Sequence, residues 1–359
     1  MEFSFGPTHL KIVKAIQPIF VVGGAVRDSL LGVPCHDIDF ATPVEFEKLG
    51  ELLMSAGLNW IPDKTAAEHG IYRVIDPNKG VIDVAVFRKD IETDGRHAIV
   101  EFTNSISDDL GRRDLTINAM ASQIRSDGSI VPGLIDPFDG WIDLTDQVIR
   151  LVGKAEDRIN EDYLRMLRVA RFATKLGSGS NISDATIAAC RANASKISSI
   201  SKERIREEIE KALTYDNAGN MFRWMQSLGL LEYIIPDLHR GVSSLQNKEH
   251  AFSSVFDHLC RCVDACKGKK YTPMLKLATL FHDVAKPHTR KVIDGDATFH
   301  NHEVVGASLV YNWMKEYKFS TSDIQYVVKM VRHHQWRMYS DRIKLTCRDC
   351  GWKKEFDKD

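Results

Sequence analysis

The pattern of hydrophobic and polar positions changes character near Arg150. Before it, short runs rich in branched and aromatic residues alternate with polar segments: Ile19-Phe20-Val21-Val22, Ile38-Asp39-Phe40-Ala41, Tyr72-Arg73-Val74-Ile75 and Val81-Ile82-Asp83-Val84-Ala85-Val86-Phe87. Their length and composition predict strands. Gly23-Gly24 closes the first run, and residues 25–31 predict a short helix ended by Gly32-Val33-Pro34. Beyond Arg150, apolar residues recur at helical spacing almost to the end. Tyr163, Leu164, Leu167, Ala170, Arg171, Ala173 and Thr174 predict a helix with an apolar stripe beside a basic one. The looser stretches Gly177–Ser183 and Gly241–Asn247 are linker candidates. The expectation is an α/β head followed by a mostly helical body, with no tandem repeat.

Composition narrows the class of protein. With 359 residues there is room for two or three domains. The chain is 43% hydrophobic and 27% charged, with a net charge of -1, which suits a globular protein and argues against collagen-like or disordered chains. No apolar run is long enough to span a bilayer, and the opening MEFSFGPTHLKIVK does not read as a secretion signal. Seven cysteines, an odd number scattered along the chain, point to a reducing, cytoplasmic setting.

The first chemistry lies in His36-Asp37-Ile38-Asp39-Phe40. Carboxylates at i and i+2 of a strand leave the same face. Two like charges held so close call for a cation, and hard oxygen donors suit Mg²⁺. Upstream, the turn at Gly24 offers backbone N–H groups to a triphosphate, with Arg27 on the helix that follows. Asp83 is a candidate third carboxylate. A dinucleotide-binding turn is disfavoured, because Gly-Gly-Ala-Val-Arg-Asp lacks the spaced third glycine of G-x-G-x-x-G.

Four ordered segments now resemble one family. Gly23-Gly24-Ala25-Val26-Arg27-Asp28 with Asp37-Ile38-Asp39-Phe40 is similar to the first motif of the class II, bacterial-type tRNA nucleotidyltransferases, which comprise CCA-adding enzymes and related poly(A) polymerases. Asp109-Leu110-Gly111-Arg112-Arg113-Asp114 through Met120, Asp136-Pro137-Phe138-Asp139-Gly140 through Leu144, and Glu161-Asp162-Tyr163-Leu164-Arg165 through Phe172 resemble the second, third and fourth.

The resemblance implies an α+β fold class. A polymerase-β-like head with a mixed sheet and helices would occupy 1–150. An all-α neck with nucleotide-templating and RNA-binding helices would follow over 151–240, then an HD-like helical body over 241–340 and a short basic tail over 341–359. It implies template-independent addition of CCA to the 3′ end of tRNA from CTP and ATP, with pyrophosphate released and Mg²⁺ held by the catalytic Asp37 and Asp39, with Asp83 as an additional candidate. Gly24, Arg27 and Arg113 inherit contacts to the nucleotide sugar and phosphates. Asp162 and Arg165 inherit reading of the base edge, oriented by Glu161, and Arg168 and Arg171 inherit further nucleotide contacts. The third motif is expected to be a turn and helix start joining head to neck. No membrane and no obligate protein partner is implied.

Two segments bear on which activity of the family applies. Arg88-Lys89-Asp90 through Asp94-Gly95-Arg96-His97 resembles the intact loop of full CCA-adding enzymes, which CC-adding enzymes shorten. Ala66-Ala67-Glu68-His69-Gly70-Ile71-Tyr72 stands where poly(A) polymerases carry a basic signature. Full CCA addition is therefore expected over CC- or A-addition or poly(A) synthesis.

Eight of the thirteen histidines fall between His250 and His334. Phe281-His282-Asp283-Val284-Ala285-Lys286-Pro287 resembles an HD phosphohydrolase segment. His258, His282, Asp283 and His302 are candidate ligands for a transition metal (Ni, Mn, Fe or Zn), with His333-His334 further on and Asp341 in a poor position for the distal aspartate. A metal-dependent phosphohydrolase is the alternative function of another class. Cys347-Arg348-Asp349-Cys350 is half of a zinc ribbon, and the spacing of Cys260, Cys262 and Cys266 does not supply the other half.

Overall fold

The computed structural model describes residues 1–35, 37–77, 80–93, 98–177, 179–244, 254–293 and 296–334. They cluster into two compact units: Met1–Asp162 with Asn181–Thr186, and Tyr163–Ser180 with Ile187 onward.

In the first unit the strands are β1 (Ile19–Val22), β2 (Phe40–Thr42), β3 (Trp60–Ile61), β4 (Ile71–Asp76), β5 (Gly80–Val86), β6 (Arg88–Thr93), β7 (Ala98–Phe102), β8 (Ala121–Ile124), β9 (Val148–Ile149) and β10 (Asn181–Ile182). The helices are α1 (Pro7–Ala15), α2 (Gly24–Leu30), α3 (Phe46–Ser55), α4 (Lys64–Glu68), α5 (Ile106–Gly111), α6 (Gly140–Thr145) and α7 (Ala155–Glu161). Among the described residues one six-stranded sheet runs in the order β3-β4-β5-β2-β1-β8. Only the β2–β5 pair in it is parallel, so the sheet is mixed. All four residues of β1 are buried, as befits a central strand covered on both faces. In β5, Ile82, Val84 and Val86 are buried while Asp83 is half-buried on the opposite face, the period-two alternation of a pleated strand. Phe20, Val22, Ala41, Phe87, Leu110 and Ala121 form part of the core beneath the site.

The predicted strand at Ile38–Ala41 is shifted: regular pairing begins at Phe40. Burial alternates through residues 37–39, with Ile38 buried between two exposed aspartates, and both carboxylates line one cavity. The third motif is a turn and helix start, but it folds back on the head. The carboxylate of Asp136 accepts from the N–H groups of Gly140 and Trp141, both at 2.8 Å. A Cβ at Gly140 would lie 2.2 Å from the carbonyl oxygen of Thr116 in the second motif, a close approach that only glycine permits.

The second unit is helical: α8 (Leu164–Leu176), most of α9 (Asp184–Asn193), α10 (Lys202–Leu213), α11 (Gly219–Ser227), α12 (Leu231–Ile234), α13 (Pro236–Arg240), α14 (Val255–Ala265), α15 (Pro273–Phe281), α16 (Lys286–Thr289), α17 (His302–Glu316) and α18 (Thr321–His333). Lys291–Ile293 and Asp296–Thr298 add a small antiparallel hairpin. Helix α8 packs on α10 and α11, and α15 packs on α14 and α18. The hydroxyls of Ser254, Thr272 and Ser320 accept from backbone N–H groups at the starts of α14, α15 and α18. These caps fix where the helices that carry the histidine cluster begin.

Candidate active site and histidine cluster

In the head, Asp37, Asp39 and Asp83 line one cavity of about 420 Å³ together with His9, Ile38, Ile61, Arg73, Val81 and Ile82. Parallel pairing sets Phe40 opposite Val84. Extending that register one residue back puts Asp39 beside Asp83. Although its side chain reaches the solvent-facing rim, Asp39 is raised to about 6, by desolvation in the cleft, by Asp83 and by Asp37, against the pull of Arg113. Asp83 is raised as well, chiefly by desolvation, and Arg73 opposes that shift. Three oxygen donors that repel one another in a cleft fit a hard divalent cation such as Mg²⁺.

The glycine turn adjoins this cleft. Gly23 adopts φ 71°, ψ -126°, and a Cβ there would lie 2.5 Å from Nη1 of Arg113. Residues of the first and second motifs are thus brought together, although ninety positions separate them. Asp109, fully buried, organises the second motif. It accepts from Arg112 at 2.8 Å and Arg113 at 3.4 Å, and its Oδ1 accepts the backbone N–H of Arg88 at 3.3 Å. Burial alone would raise Asp109, but the two guanidinium groups hold it below its ordinary value. The Nε–H of Arg113 is buried and has no hydrogen-bond partner in the structure.

Arg27 is tied to both the first and second motifs. Its side chain is buried, donates to Asn118 and pairs with Asp28 at 2.8 Å. Asn118 in turn donates to Asp114 at 3.1 Å. Arg27 thus braces the turn at which the sequence expects its triphosphate contact. Asp162 caps the C-terminal end of α7, and Glu161 pairs with Arg158, whose Nη1 donates to the carbonyl of Gly111 at 2.9 Å. The loop segment Asp94–His97 lies outside the described residues.

In the helical unit, Arg165 stands half-buried in the first turn of α8. Arg171 is buried and pairs with the buried Glu208 of α10 at 2.5 Å, with Tyr215 Oη at 3.3 Å. Arg168 reaches the same carboxylate at 3.7 Å. This buried ion pair ties α8 to α10.

Further along, four imidazoles surround one carboxylate. Asp283 Oδ2 lies 3.5 Å from Nε2 of His258 and 3.2 Å from Nε2 of His282. Asp283 Oδ1 lies 2.9 Å from Nε2 of His302 and 3.3 Å from Nε2 of His334. His282, His302 and His334 each turn Nδ1 to the carbonyl three residues earlier, at 2.7, 2.6 and 2.7 Å. That bond places the ring proton on Nδ1 and aims the Nε2 lone pair at the carboxylate. Lone pairs facing an anion, and one another at 3.1 Å between His302 and His334, require a proton or metal cation between them. Lys286 Nζ also contacts Asp283 Oδ2, at 2.7 Å. Despite its burial Asp283 is held well below the usual carboxylate range by His282 and Lys286. Burial lowers His334 and leaves it neutral, as a ligand must be.

The predicted ligands His258, His282, Asp283 and His302 therefore meet, and His334 joins them. Cys262 also joins, 3.7 Å from Nε2 of His258. Its signal in the sequence was the i, i+4 spacing from His258 rather than the C-x-x-C arithmetic. Asp341, Cys347 and Cys350 lie outside the described residues.

Comparison with known proteins follows the same order along the chain. Residues 19–150 match the poly A polymerase head domain, 179–241 the probable RNA and SrmB-binding site of polymerase A, and 255–349 the HD domain. A mitochondrial CCA tRNA nucleotidyltransferase 1 of Mus musculus is 38% identical over 73% of this chain and 55% of its own length. A CCA-adding enzyme of Latilactobacillus sakei is 38% identical over 66% of this chain and 57% of its own. The chain thus spans somewhat over half the length of these curated relatives. A solved tRNA nucleotidyltransferase complexed with a primer tRNA and an incoming ATP analog superposes with TM-score 0.59 at 25% identity, covering 90% of this chain and 82% of that one. A polymerase head, an RNA-binding segment and an HD domain are thus matched in succession, and the chain is similar to tRNA nucleotidyltransferases over most of its length.

Proposed function

We propose that the protein adds CCA to the 3′ end of tRNA from CTP and ATP, without a nucleic-acid template, in a reducing, cytoplasmic compartment. The observation that carries this reading is the convergence of Asp37, Asp39 and Asp83 on one cavity beside the Gly23 turn and Arg113. Asp37 and Asp39, joined by Asp83, are the residues to hold Mg²⁺. The ion, when bound, supplies Lewis acidity toward the α-phosphate and lowers the pKa of the attacking 3′-hydroxyl. Arg113, against the Gly23 turn, is the candidate guanidinium for triphosphate oxygens, and the α2 N-terminus at Gly24 offers backbone N–H groups to the same charge. Arg27, held by Asn118 and Asp28 at the turn, is a further candidate for the triphosphate. Asp162 and Arg165 carry base selection, the guanidinium presenting a fixed fork of donors and the carboxylate accepting. The tRNA is recognised by shape and phosphates, as an A-form helix exposes little sequence to side chains.

Primer extension on a tRNA transcript ending at the discriminator base tests the reading. Two additions from CTP and a third once ATP is supplied are expected, with none from the Asp37→Ala, Asp39→Ala protein. Stopping after two C identifies a partial enzyme, long tails from ATP alone identify a poly(A) polymerase, and no extension by the unaltered protein refutes transferase activity.

The imidazoles around Asp283 favour a second reading for the helical unit, in which it holds one or more transition-metal ions and hydrolyses phosphoesters. Metal-dependent hydrolysis of p-nitrophenyl phosphate to p-nitrophenol and phosphate, or of 2′,3′-cyclic nucleotides to nucleoside monophosphates, abolished by His302→Ala, is expected. Hydrolysis unchanged in His302→Ala refutes it.

A further inference from the structure

We infer that Arg73 holds the last phosphodiester of the tRNA 3′ strand, with Ile61, Ile75 and Val81 as the apolar floor under the terminal nucleoside. The inference rests on the transferase reading proposed above and deepens it by placing the primer strand. Antiparallel register sets Ile61 of β3 opposite Arg73 of β4, and Arg73 opposite Asp83 of β5. The parallel β2–β5 register carries that row on to Asp39. Beyond Asp39 lies β1, where the N–H of Val22 donates to the Asp39 carbonyl at 3.3 Å. Side chains in register on neighbouring strands share a face, with strands about 4.8 Å apart. One face of the sheet therefore carries Ile61, Arg73, Asp83 and Asp39 in succession, and all four line the cavity. Val81, opposite Ile75, extends the same face along β5. Ile61, Ile75 and Val81 are exposed aliphatic side chains.

Arg73 is tethered from the rim of the cavity. Its Nη1 donates to Asp63 Oδ2 at 2.7 Å, while its Nε lies 3.8 Å from Asp83 Oδ1, too far for a hydrogen bond. Asp63 is itself fixed, since Oδ1 accepts the N–H of Ala66 at the start of α4 at 3.1 Å. A guanidinium presents five N–H donors in a planar fork. With Asp63 taking one of them, donors are left for an oxyanion, and the fork matches phosphate geometry.

Position along the row decides which phosphate Arg73 meets. In-line transfer keeps the attacking and leaving oxygens on opposite sides of the phosphorus. The O3′–P bond forms as the bond to the bridging oxygen of the β-phosphate breaks; pyrophosphate keeps that electron pair, and the hydroxyl proton leaves to solvent. Gly23, which follows β1, and Arg113 against it stand at one end of the row, the end that the transferase reading gives to the triphosphate. The 3′-hydroxyl then approaches from the β5–β4 end, where Arg73 is the guanidinium lining the cavity. Neither aliphatic contact nor a phosphate contact reads a base edge. That suits a strand whose terminal residue changes with each addition.

The test measures KM for a tRNA transcript ending at the discriminator base and, separately, for CTP, in primer extension by the full chain. Arg73→Ala is expected to raise the KM for tRNA about tenfold, the loss of one hydrogen bond between charged groups, and to leave the KM for CTP unchanged. The log–log salt slope of tRNA binding should fall by about 0.7, one phosphate of a single strand. Arg73→Lys keeps the charge and should keep that slope, whereas a bracing role alone would move the slope in neither variant. Melting should stay with the parent, because an exposed ion pair contributes little. A raised KM for CTP with an unchanged KM for tRNA assigns Arg73 to the triphosphate and overturns the inference. A tRNA KM and salt slope unmoved by Arg73→Ala also overturn it, leaving a cross-strand ion pair. If Arg73→Ala does not fold, Arg73→Gln against Arg73→Lys decides, and equal slopes in those two refute the contact. No extension by the unaltered protein refutes the transferase reading and this inference with it; extension that Arg73→Ala leaves unaltered refutes the inference alone.

Discussion

Glu208 is the residue whose removal best separates a structural from a nucleotide-binding role for Arg171. The Arg171–Glu208 pair has side chains only 9% and 3% exposed, with Nε to Oε2 at 2.5 Å. Substituting Glu208→Ala leaves a buried guanidinium whose Nη1 still donates to Tyr215 Oη at 3.3 Å. Breaking one partner of a buried pair costs about 3–5 kcal/mol. Arg168 and Lys211 also lose an acceptor, both at 3.7 Å, but these more exposed groups add only about 0.2–1 kcal/mol each. For a unit of this size, about 3–5 kcal/mol lowers the melting temperature by roughly 6–20 °C. Replacing both residues by apolar ones, Arg171→Met with Glu208→Leu, removes the stranded charge and recovers most of the loss. Circular dichroism melts of the two single variants and the double variant measure the coupling, and CTP titrations run alongside. A Glu208→Ala protein with unaltered melting and impaired CTP binding would refute the structural assignment. A double variant no more stable than the worse single would refute the ion-pair explanation.

Gly23→Ala places a side chain where φ is 71° and where a Cβ meets Arg113 Nη1 at 2.5 Å. It should cost about 1–3 kcal/mol of backbone strain and weaken CTP binding, read by calorimetry; unchanged binding would separate Arg113 from the nucleotide. Asp39 supplies a pH prediction. Its folded value of about 6 exceeds the ordinary 3.8, so the folded, metal-free protein holds an extra proton between those values and loses stability as pH rises from about 4 through 6. Asp39→Asn should therefore melt above the parent at pH 8 and level with it near pH 3.5, while losing transfer activity; equal melting temperatures at pH 8 would mean Asp39 is not electrostatically strained.

What the sequence disclosed depended on how local the signal was. The pair Asp37 and Asp39 was legible because strand periodicity is two, and Ile38 buried between them preserves that alternation outside regular pairing. The cluster with Asp83 depended on a parallel register between β2 and β5, which no short-range pattern specifies. Arg165, Arg168 and Arg171 show why a spacing of three misleads. At about 100° per residue, three residues turn 300°, so each arginine drifts about 60° around α8 and Arg171 lies about 120° from Arg165. Two steps carry it off the half-exposed stripe into the side holding Met166, Leu167 and Ala170, all fully buried. Its partner Glu208, on another helix, left no trace near it in the sequence. His334 was hidden for a similar reason, since His333 and His334 are adjacent and only the folded α18 shows which ring turns inward.

The two acidic centres begin from opposite electrostatic states, and that difference determines which ions they can share. Asp39 is raised because desolvation and carboxylate neighbours dominate its surroundings, so the head cavity gains most from a compact hard dication that neutralises several oxygens at once. Asp283 is held low because imidazoles and Lys286 already surround it. Its surroundings offer imidazole nitrogen lone pairs rather than excess negative charge, and they suit an ion that binds nitrogen donors. Mg²⁺ sufficient to saturate the head should therefore leave the Asp283 cluster unfilled. A transition-metal ion bound at Asp283 should resist washing with Mg²⁺, so phosphohydrolase or structural properties of the helical unit should vary with trace transition metal at constant Mg²⁺. On the reading proposed above, donor chemistry, rather than charge alone, distinguishes the two sites.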